Sequence, residues 1–315
     1  MQRVLITGGA GFIGSHTAEA LLARGIGVRV LDNLSSGRRA NLPAAALADG
    51  RLSLIEGDVR DARAVDAAVQ GCDAVLHLAA QVSVQRSVAE PVASSGHNVA
   101  GFLNVIDAVR CLRVPRLVYA SSAAVYGVPA ALPLDEDAEP RPLSPYGLEK
   151  LINDQYAALY RALYGVSAVG MRYFNVYGPR QDPRSPYAGV ISKFADGLES
   201  GAGLRVFGDG TQTRDFVYVG DVAEANLRAL AAGAAGVQGV LNVGTGRSVS
   251  LLQLIEAMSE AFGKPASVRH EPPAPGDVAH SATTPERLAR TLGYRPATSL
   301  VQGLAALAAA LRSST

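Results

Sequence analysis

Apolar positions in the first half of the chain come in short β-branched runs, and between them lie longer stretches with a helical period. "RVLITG" reads as a strand feeding a helix over residues 12–23, and "GVRVLD", "LSLIEGD", "AVLHLAA" and "RLVYASS" read as the strands that follow. The stretches "DARAVDAAVQG" and "NVAGFLNVIDAVRCL" between them are helical. Strand and helix in regular alternation imply parallel strands joined by covering helices, so the expected class is α/β with a doubly wound parallel sheet. A further helix begins near Pro145, and "GVSAVGMRYFNVYG" after it reads as one sixth strand.

The pattern changes beyond Asn175. "GPRQDPRSPYAG" is long, polar and proline-containing, the texture of a binding loop. Strand-like "LRVFGDG", "FVYVGD" and "GVLNVG" follow, with helical "LLQLIEAMSEAFG" and "VQGLAALAAALR". The expected division is a first lobe over 1–175, a segment near 215–243 that returns to its sheet, and a smaller second lobe mainly over 176–315.

Composition narrows the classes. At 315 residues, 48% hydrophobic and 18% charged, the chain is long enough for a sizeable core and is not of a disordered type. Lys plus Arg number 29 and Asp plus Glu 28, a net charge of +1. No global field then draws nucleic acid or an anionic membrane, and an anionic ligand must be held by local groups. No apolar run reaches ~18 residues, and the N-terminal stretch carries no signal-peptide pattern. Cys72 and Cys111 both sit in apolar contexts and read as buried free thiols of a reducing compartment. A soluble cytoplasmic protein without a metal site is expected.

The first strand is followed directly by "TGGAGFIGSH", with Gly8, Gly11 and Gly14 opening a helix. Glycines so placed permit a tight turn and close approach of a pyrophosphate to a helix N-terminus, the signature of a Rossmann dinucleotide site. Asp32 ends the second strand, where a carboxylate meets the adenosine ribose hydroxyls and repels a 2′-phosphate, favouring NAD over NADP; Arg38 and Arg39 stand close by. Asp58, in "EGDVR", is placed either to bond the adenine or to cap the next helix. "SPYGLEK" sets Tyr146 and Lys150 four residues apart on one helix face. A lysine ammonium there, with a positive nicotinamide ring, favours tyrosinate and so equips a general base.

Read in order, "TGGAGFIGSH", "DNLSSG", "GDVRD", "HLAAQVSVQRS", "YASSAAVYG", "SPYGLEK", "RYFNVYGPR", "GDGTQTRDFVYVGD" and "NVGTG" resemble the extended short-chain dehydrogenase/reductases. Within them the chain is most similar to nucleotide-sugar 4-epimerases of the UDP-galactose 4-epimerase type, over nearly its whole length. The resemblance implies one tightly held NAD per subunit, a UDP-sugar substrate and a homodimer; the helices near 98–112 and 145–163 are candidates for its interface, or are equally well covered within the monomer. It places NAD against Gly8, Gly11, Phe12, Ile13 and Gly14, then Asp32, Asn33, Ser36 and Gly37, then Asp58 and Val59. Leu78, Ala79, Ala80 and Gln81 continue that wall to Tyr146 and Lys150. On the substrate side it implies Ser83, Arg86, Ser121, Ser122, Tyr146, Asn175, Arg214 and Ser281.

Ser122, Tyr146 and Lys150 are the implied catalytic residues: Ser122 bonds the sugar 4-hydroxyl and relays its proton to Tyr146 while the hydride at C4 goes to NAD. Related dehydratases and decarboxylases place acid/base carboxylates just after that hydroxyl, where this chain has Ala123 and Ala124, which transfer no proton. The 4-keto intermediate then has one productive exit, hydride return to its other face, which is epimerisation; simple packing of the alanines is compatible with that outcome. Asn175 and Arg214 resemble diphosphate ligands, though Arg214 could instead pair with Asp215 or Asp221. A second diphosphate arginine common in relatives is replaced by Ala274, before Gly276 and Asp277, leaving Arg184, Arg86 or Arg269 as substitutes. In the family that the chain resembles, a residue near Ser281 lines the pocket around the sugar C2 substituent, and a small one there leaves room for an N-acetyl group; the resemblance so implies UDP-GlcNAc and UDP-GalNAc beside UDP-Glc and UDP-Gal. The competing readings are a reductase or UDP-glucuronate decarboxylase of the same superfamily, and a non-catalytic NAD(H) sensor, for which the joint presence of Ser122, Tyr146 and Lys150 has no use.

Overall fold

The structure is a computed structural model that describes residues 1–182, 189–233, 237–273 and 278–313. The apolar runs form β1 (Arg3–Thr7), β2 (Gly27–Asp32), β3 (Leu52–Glu56), β4 (Ala74–His77), β5 (Leu117–Ser122) and β6 (Ala168–Tyr173). Later strands are β7 (Asn175–Tyr177), β8 (Leu204–Phe207), β9 (Thr213–Tyr218), β10 (Gly239–Val243), β11 (Ser248–Ser250) and β12 (Val268–Glu271). Seven of them make one sheet in the order β10-β6-β5-β4-β1-β2-β3, every neighbour parallel. Their carboxyl ends therefore share one edge, where ligands of such sheets bind.

The helices are α1 (Phe12–Leu22), α2 (Ala44–Ala48), α3 (Ala62–Val69), α4 (Val84–Ala89), α5 (Pro91–Ser95) and α6 (Gly101–Cys111). They continue as α7 (Pro145–Tyr164), α8 (Val190–Ser200), α9 (Val219–Ala231), α10 (Leu251–Phe262), α11 (Glu286–Leu292) and α12 (Leu300–Arg312). β4 and β6 are buried along their whole length because helices cover both faces of the sheet. One apolar layer joins α1 and α9 to Val4, Ile6, Val30 and Leu76; the other joins α3 and α6 to Leu5, Val75 and Tyr119. α9, with β10, is thus the part of the second half that completes the large sheet.

The remaining strands form the small sheets β11-β9-β7 and β12-β8. α8, α10 and α12 pack on them around Ile191, Phe194, Leu254, Met258 and Leu304. α10 and α12 each start with a capping box, at Ser250 and Ser299, and a cap of this kind stabilises a helix by about 1 kcal/mol. Among the described residues no helix is long and apolar enough to cross a membrane.

Two expectations are corrected. The single sixth strand is two strands, broken at Phe174: β6 stays in the large sheet and β7 pairs with β9 in a small one. Phe174 turns inward among Val125, Tyr126 and Leu134, and its N–H goes to the Val243 carbonyl at 3.0 Å. Cys72 is a buried free thiol, but Cys111 is exposed. Helical periodicity places Cys111 one turn after Asp107, on the solvent side of α6, with its thiol 3.8 Å from Asp107 Oδ2.

Candidate active site

The loop behind β1 turns at Gly8, whose φ of +70° lies in the left-handed region open to glycine. A Cβ on Gly8 would stand 2.7 Å from the Ala79 nitrogen, and one on Gly14 2.3 Å from the Gly8 carbonyl oxygen. Loop, helix and the end of β4 are therefore packed backbone to backbone. Gly11 differs: a Cβ there would meet only the Gly8 oxygen, at 3.2 Å. It is also the N-cap of α1 and supplies no side-chain cap, so the first-turn N–H groups around Phe12, Ile13 and Gly14 are left to a ligand or solvent.

Asp32 is buried at the end of β2, its Oδ2 accepting from the Ala10 N–H and its Oδ1 from the Leu34 N–H, both at 2.9 Å. These bonds aim the carboxylate and leave lone pairs for further donors. Gly37 passes close behind, where a Cβ would come within 2.9 Å of Asp32 Oδ2. Ser36 is exposed, and Arg38 is paired with Asp182. Asp58 is not a helix cap; Asp61 caps α3 by accepting the Arg63 N–H. Instead the Arg60 guanidinium holds the Asp58 carboxyl far below the usual carboxylate range, with Asn33 Nδ2 donating to it at 2.9 Å. Val59, beside it, is buried, and its carbonyl accepts from Asn104 Nδ2 at 2.9 Å.

Leu78, Ala79 and Ala80 line the turn after β4, each half-buried. The Gln81 N–H donates to Asn98 Oδ1 at 2.8 Å. Ser83 is buried and caps α4 by accepting the Arg86 N–H at 2.9 Å, while Arg86 is exposed and pairs with Glu90 at 3.1 Å. Below this turn lies a pair absent from the expectations, Thr7 Oγ1 and His77 Nδ1 at 2.8 Å. Burial, with the Lys150 charge behind it, pushes the His77 pKa down to about 3, so its ring is neutral.

"LSPYGLEK" starts α7 by local chemistry. Ser144 accepts the Gly147 N–H, and Pro145 occupies the first turn, where its missing N–H costs nothing. The free N–H of Tyr146 goes to Ser87 Oγ at 3.1 Å. Ser122 closes β5; its Oγ accepts the Ala124 N–H at 3.1 Å, and its hydroxyl faces the Tyr146 side chain. Lys150 Nζ donates to the Ala120 carbonyl at 3.0 Å and lies 5.9 Å from the Tyr146 ring centroid. Burial raises the Tyr146 pKa, Ser122 draws it down and Glu149 raises it again. Burial likewise pulls Lys150 down to about 8. Desolvation thus dominates at both groups.

Strand alternation separates the two serines. Ser121 was expected near the sugar beside Ser122, but it is buried and donates to Asp154 Oδ2 at 3.1 Å, on the face that also carries Tyr119. Ala123 packs toward Val125, Tyr126, Leu134 and Phe174. A Cβ on Gly147 would lie 2.6 Å from the Ala124 oxygen. Gly147 therefore lets α7 settle closely on the strand end.

Asn175 follows β6 closely, two residues beyond Tyr173, the register partner of Ser122. It lines a pocket of about 220 Å³ with Val190, Arg205, Phe207, Gln212, Arg214 and Leu251. Arg214 Nη1 donates to the Thr213 carbonyl at 2.8 Å and to the Ala279 carbonyl at 3.3 Å. The Asp215 carboxylate accepts from the Thr245 and Gly246 N–H groups at 2.8 and 2.9 Å, and Asp221 accepts from Tyr294 and Thr298. Ser281 is half-buried beside this strand, its N–H donating to the Thr213 carbonyl at 3.1 Å. Arg205 and Phe207 were missed by sequence reasoning. Their signal was the alternation in "LRVF", which turns both to the exposed face of β8. Arg269 lies in register with Arg205 on β12, whereas Arg184, Ala274, Gly276 and Asp277 fall outside the described residues. Among the described residues no group of three or more His, Cys, Asp or Glu could hold a metal ion.

Residues 4–244 match the NAD dependent epimerase/dehydratase family. The chain belongs to this family. It is 40% identical over 304 residues to a putative UDP-glucose 4-epimerase of Methanocaldococcus jannaschii, covering 96% of this chain and 95% of that one. Among solved structures it is similar to a UDP-N-acetylglucosamine 4-epimerase from Methanobrevibacter ruminantium in complex with UDP-N-acetylmuramic acid. The TM-score is 0.94, with 35% identity, 100% of this chain and 99% of that chain covered. A UDP-glucose 4-epimerase of Thermus thermophilus, in complex with NAD, matches at TM-score 0.90 and 40% identity over 100% of both chains. The family's cofactor is NAD, and the residues here fit it: the glycine cradle is closed where a Cβ would strike backbone and open at Gly11, and a buried, oriented carboxylate ends β2.

Proposed function

We propose that this chain is an NAD-dependent UDP-sugar 4-epimerase that interconverts UDP-GlcNAc with UDP-GalNAc as well as UDP-Glc with UDP-Gal. The observation that carries the reading is the convergence of Ser122, Tyr146 and Lys150 at the end of β5, with Ala123 and Ala124 where a second acid/base would stand. Bound NAD supplies the hydride acceptor and donor that turn a C4 alcohol into a ketone and back. Everything else falls to the chain. Gly8, Gly11 and Gly14 with the α1 N-terminus cradle the pyrophosphate, Asp32 takes the adenosine ribose, and Asp58 with Asn33 borders the adenine. Tyr146 removes the proton of the sugar 4-hydroxyl and returns it, Ser122 bonding the same oxygen and relaying the proton. Lys150 holds the nicotinamide ribose with the donors that Ala120 leaves free.

Arg214 and Asn175, joined by Arg205, take the diphosphate end of the substrate, and Phe207 offers an exposed ring for the uracil. Arg205 thus stands in for the arginine that Ala274 replaces. Ser281 leaves space for a C2 substituent, and the relative named for UDP-N-acetylglucosamine supports that reading. The working unit is a homodimer.

Product analysis after incubation with UDP-GlcNAc, UDP-Glc and UDP-glucuronic acid, without added cofactor, tests the assignment. Epimers of the first two sugars are expected, with no loss of carboxyl from the third. A decarboxylated product, or no turnover of either hexose, would remove the epimerase reading, and inertness toward UDP-GlcNAc alone would remove the N-acetyl reading. Ser122→Ala is expected to lower kcat by about 10–100-fold, less than loss of the base, because water partly replaces the hydroxyl. An unchanged kcat would exclude the relay.

A further inference from the structure

Behind Lys150 lies a buried carboxylate that the chemistry set out above does not use. Asp154 is one helical turn further along α7, on the same face. Its Oδ2 accepts from Arg172 Nε at 3.0 Å and from Ser121 Oγ at 3.1 Å, and its Oδ1 from the Tyr119 hydroxyl at 3.1 Å. Both side chains of the Asp154–Arg172 pair are nearly inaccessible, 6% and 5% exposed. Arg172 also donates to the Tyr126 hydroxyl at 2.8 Å, which donates to Asn242 Oδ1 at 2.7 Å. Donors from β5 and β6 thus converge on one carboxylate at the rear of the site.

We propose that Asp154 is a positioning residue: from one turn along the same helix face it keeps the Lys150 ammonium charged, while Arg172, Ser121 and Tyr119 keep Asp154 a carboxylate. Burial works against the Lys150 charge, and two carboxylates oppose it, Asp154 more strongly than Glu149. The other titratable groups around Lys150 are Tyr146 on α7 and His77 on β4, which is neutral, while Tyr119 on β5 and Arg172 on β6 face Asp154. Burial also raises the Asp154 carboxyl, and Arg172, Ser121 and Tyr119 draw it back. Without Asp154, Glu149 alone opposes desolvation of the lysine, and Arg172 becomes a buried cation lacking its counter-ion. The meaning of this for turnover rests on the catalytic reading of Lys150; its test does not.

The chain has three lysines, Lys150, Lys193 and Lys264. In holoenzyme carrying Lys193→Arg and Lys264→Arg, labelled with 13C at the lysine ε-carbon, the single remaining resonance reports the protonation of Lys150. Asp154→Asn is expected to lower its titration midpoint by about one pH unit, tenfold in proton affinity. Asp154→Glu, which restores the charge, is expected to restore the midpoint. The alkaline limb of the kcat profile shifts with it, which a merely structural role would not produce. Should Asp154→Asn fail to fold, the pair Asp154→Asn with Arg172→Met removes both buried charges, and the midpoint falls again. A folded variant of either kind whose Lys150 titrates as in the parent overturns the proposal, whatever its activity.

Discussion

Tyr146→Phe lowers epimerase turnover by about 10²–10⁴-fold, the usual contribution of a positioned acid/base, and leaves the fold and bound NAD in place. The ring is held by parts the substitution does not touch: Ser144 still caps α7, and the Tyr146 N–H still reaches Ser87. Only the hydroxyl beside Ser122 disappears. Steady-state kinetics with UDP-glucose and UDP-GlcNAc, beside circular dichroism and the absorbance of retained cofactor, measures both halves of the expectation. Activity within a few-fold of the parent would assign the base elsewhere.

Gly14→Ala acts on the cofactor instead of the chemistry. The added methyl would sit 2.3 Å from the Gly8 oxygen and 2.7 Å from the Gly9 Cα, both backbone atoms of the turn. No side chain can swing away, so the loop must separate from α1. Overpacking of this kind costs about 1–3 kcal/mol, and the distortion falls in the proposed pyrophosphate cradle. Protein purified with little or no NAD, a lowered Tm and activity recovered weakly by excess NAD are expected. Full NAD occupancy at the parental Tm would contradict the close packing described for the cradle.

What the sequence made legible follows from how local each signal is. The glycine turn, the β2 carboxylate and the start of α7 depend on spacing within one strand–turn–helix unit, and each took its expected place. The boundaries of α7 were readable from Ser144 and Pro145 at one end, and Gly165 stops the helix with φ +70° at the other. The break at Phe174 was not readable, because both halves of "GVSAVGMRYFNVYG" are apolar and β-branched. Their partners, β10 and β9, are chosen by distant chain. The two serines of β5 alternate faces, as any strand requires, but which face meets Tyr146 is decided by how α7 docks. Asp154 and Arg172 are 18 residues apart on a helix and a strand, with no pattern connecting them. Arg205 and Phe207 show their alternation plainly; only the pocket reveals what that face looks onto.

The passage of the chain between its sheets has a consequence for how such a protein can be altered. It leaves the large sheet at Phe174 and returns as α9, where Asn226 bonds Thr17 and Glu224 pairs with Arg24. It then adds β10 beside β6 and departs again toward β11. A fragment ending near residue 175 would expose the edge of β6 and strip the cover from α1. The large sheet is therefore not a unit that can be cut out at residue 175. Altering such a protein therefore means exchanging side chains within a single weave, not grafting one finished part onto another.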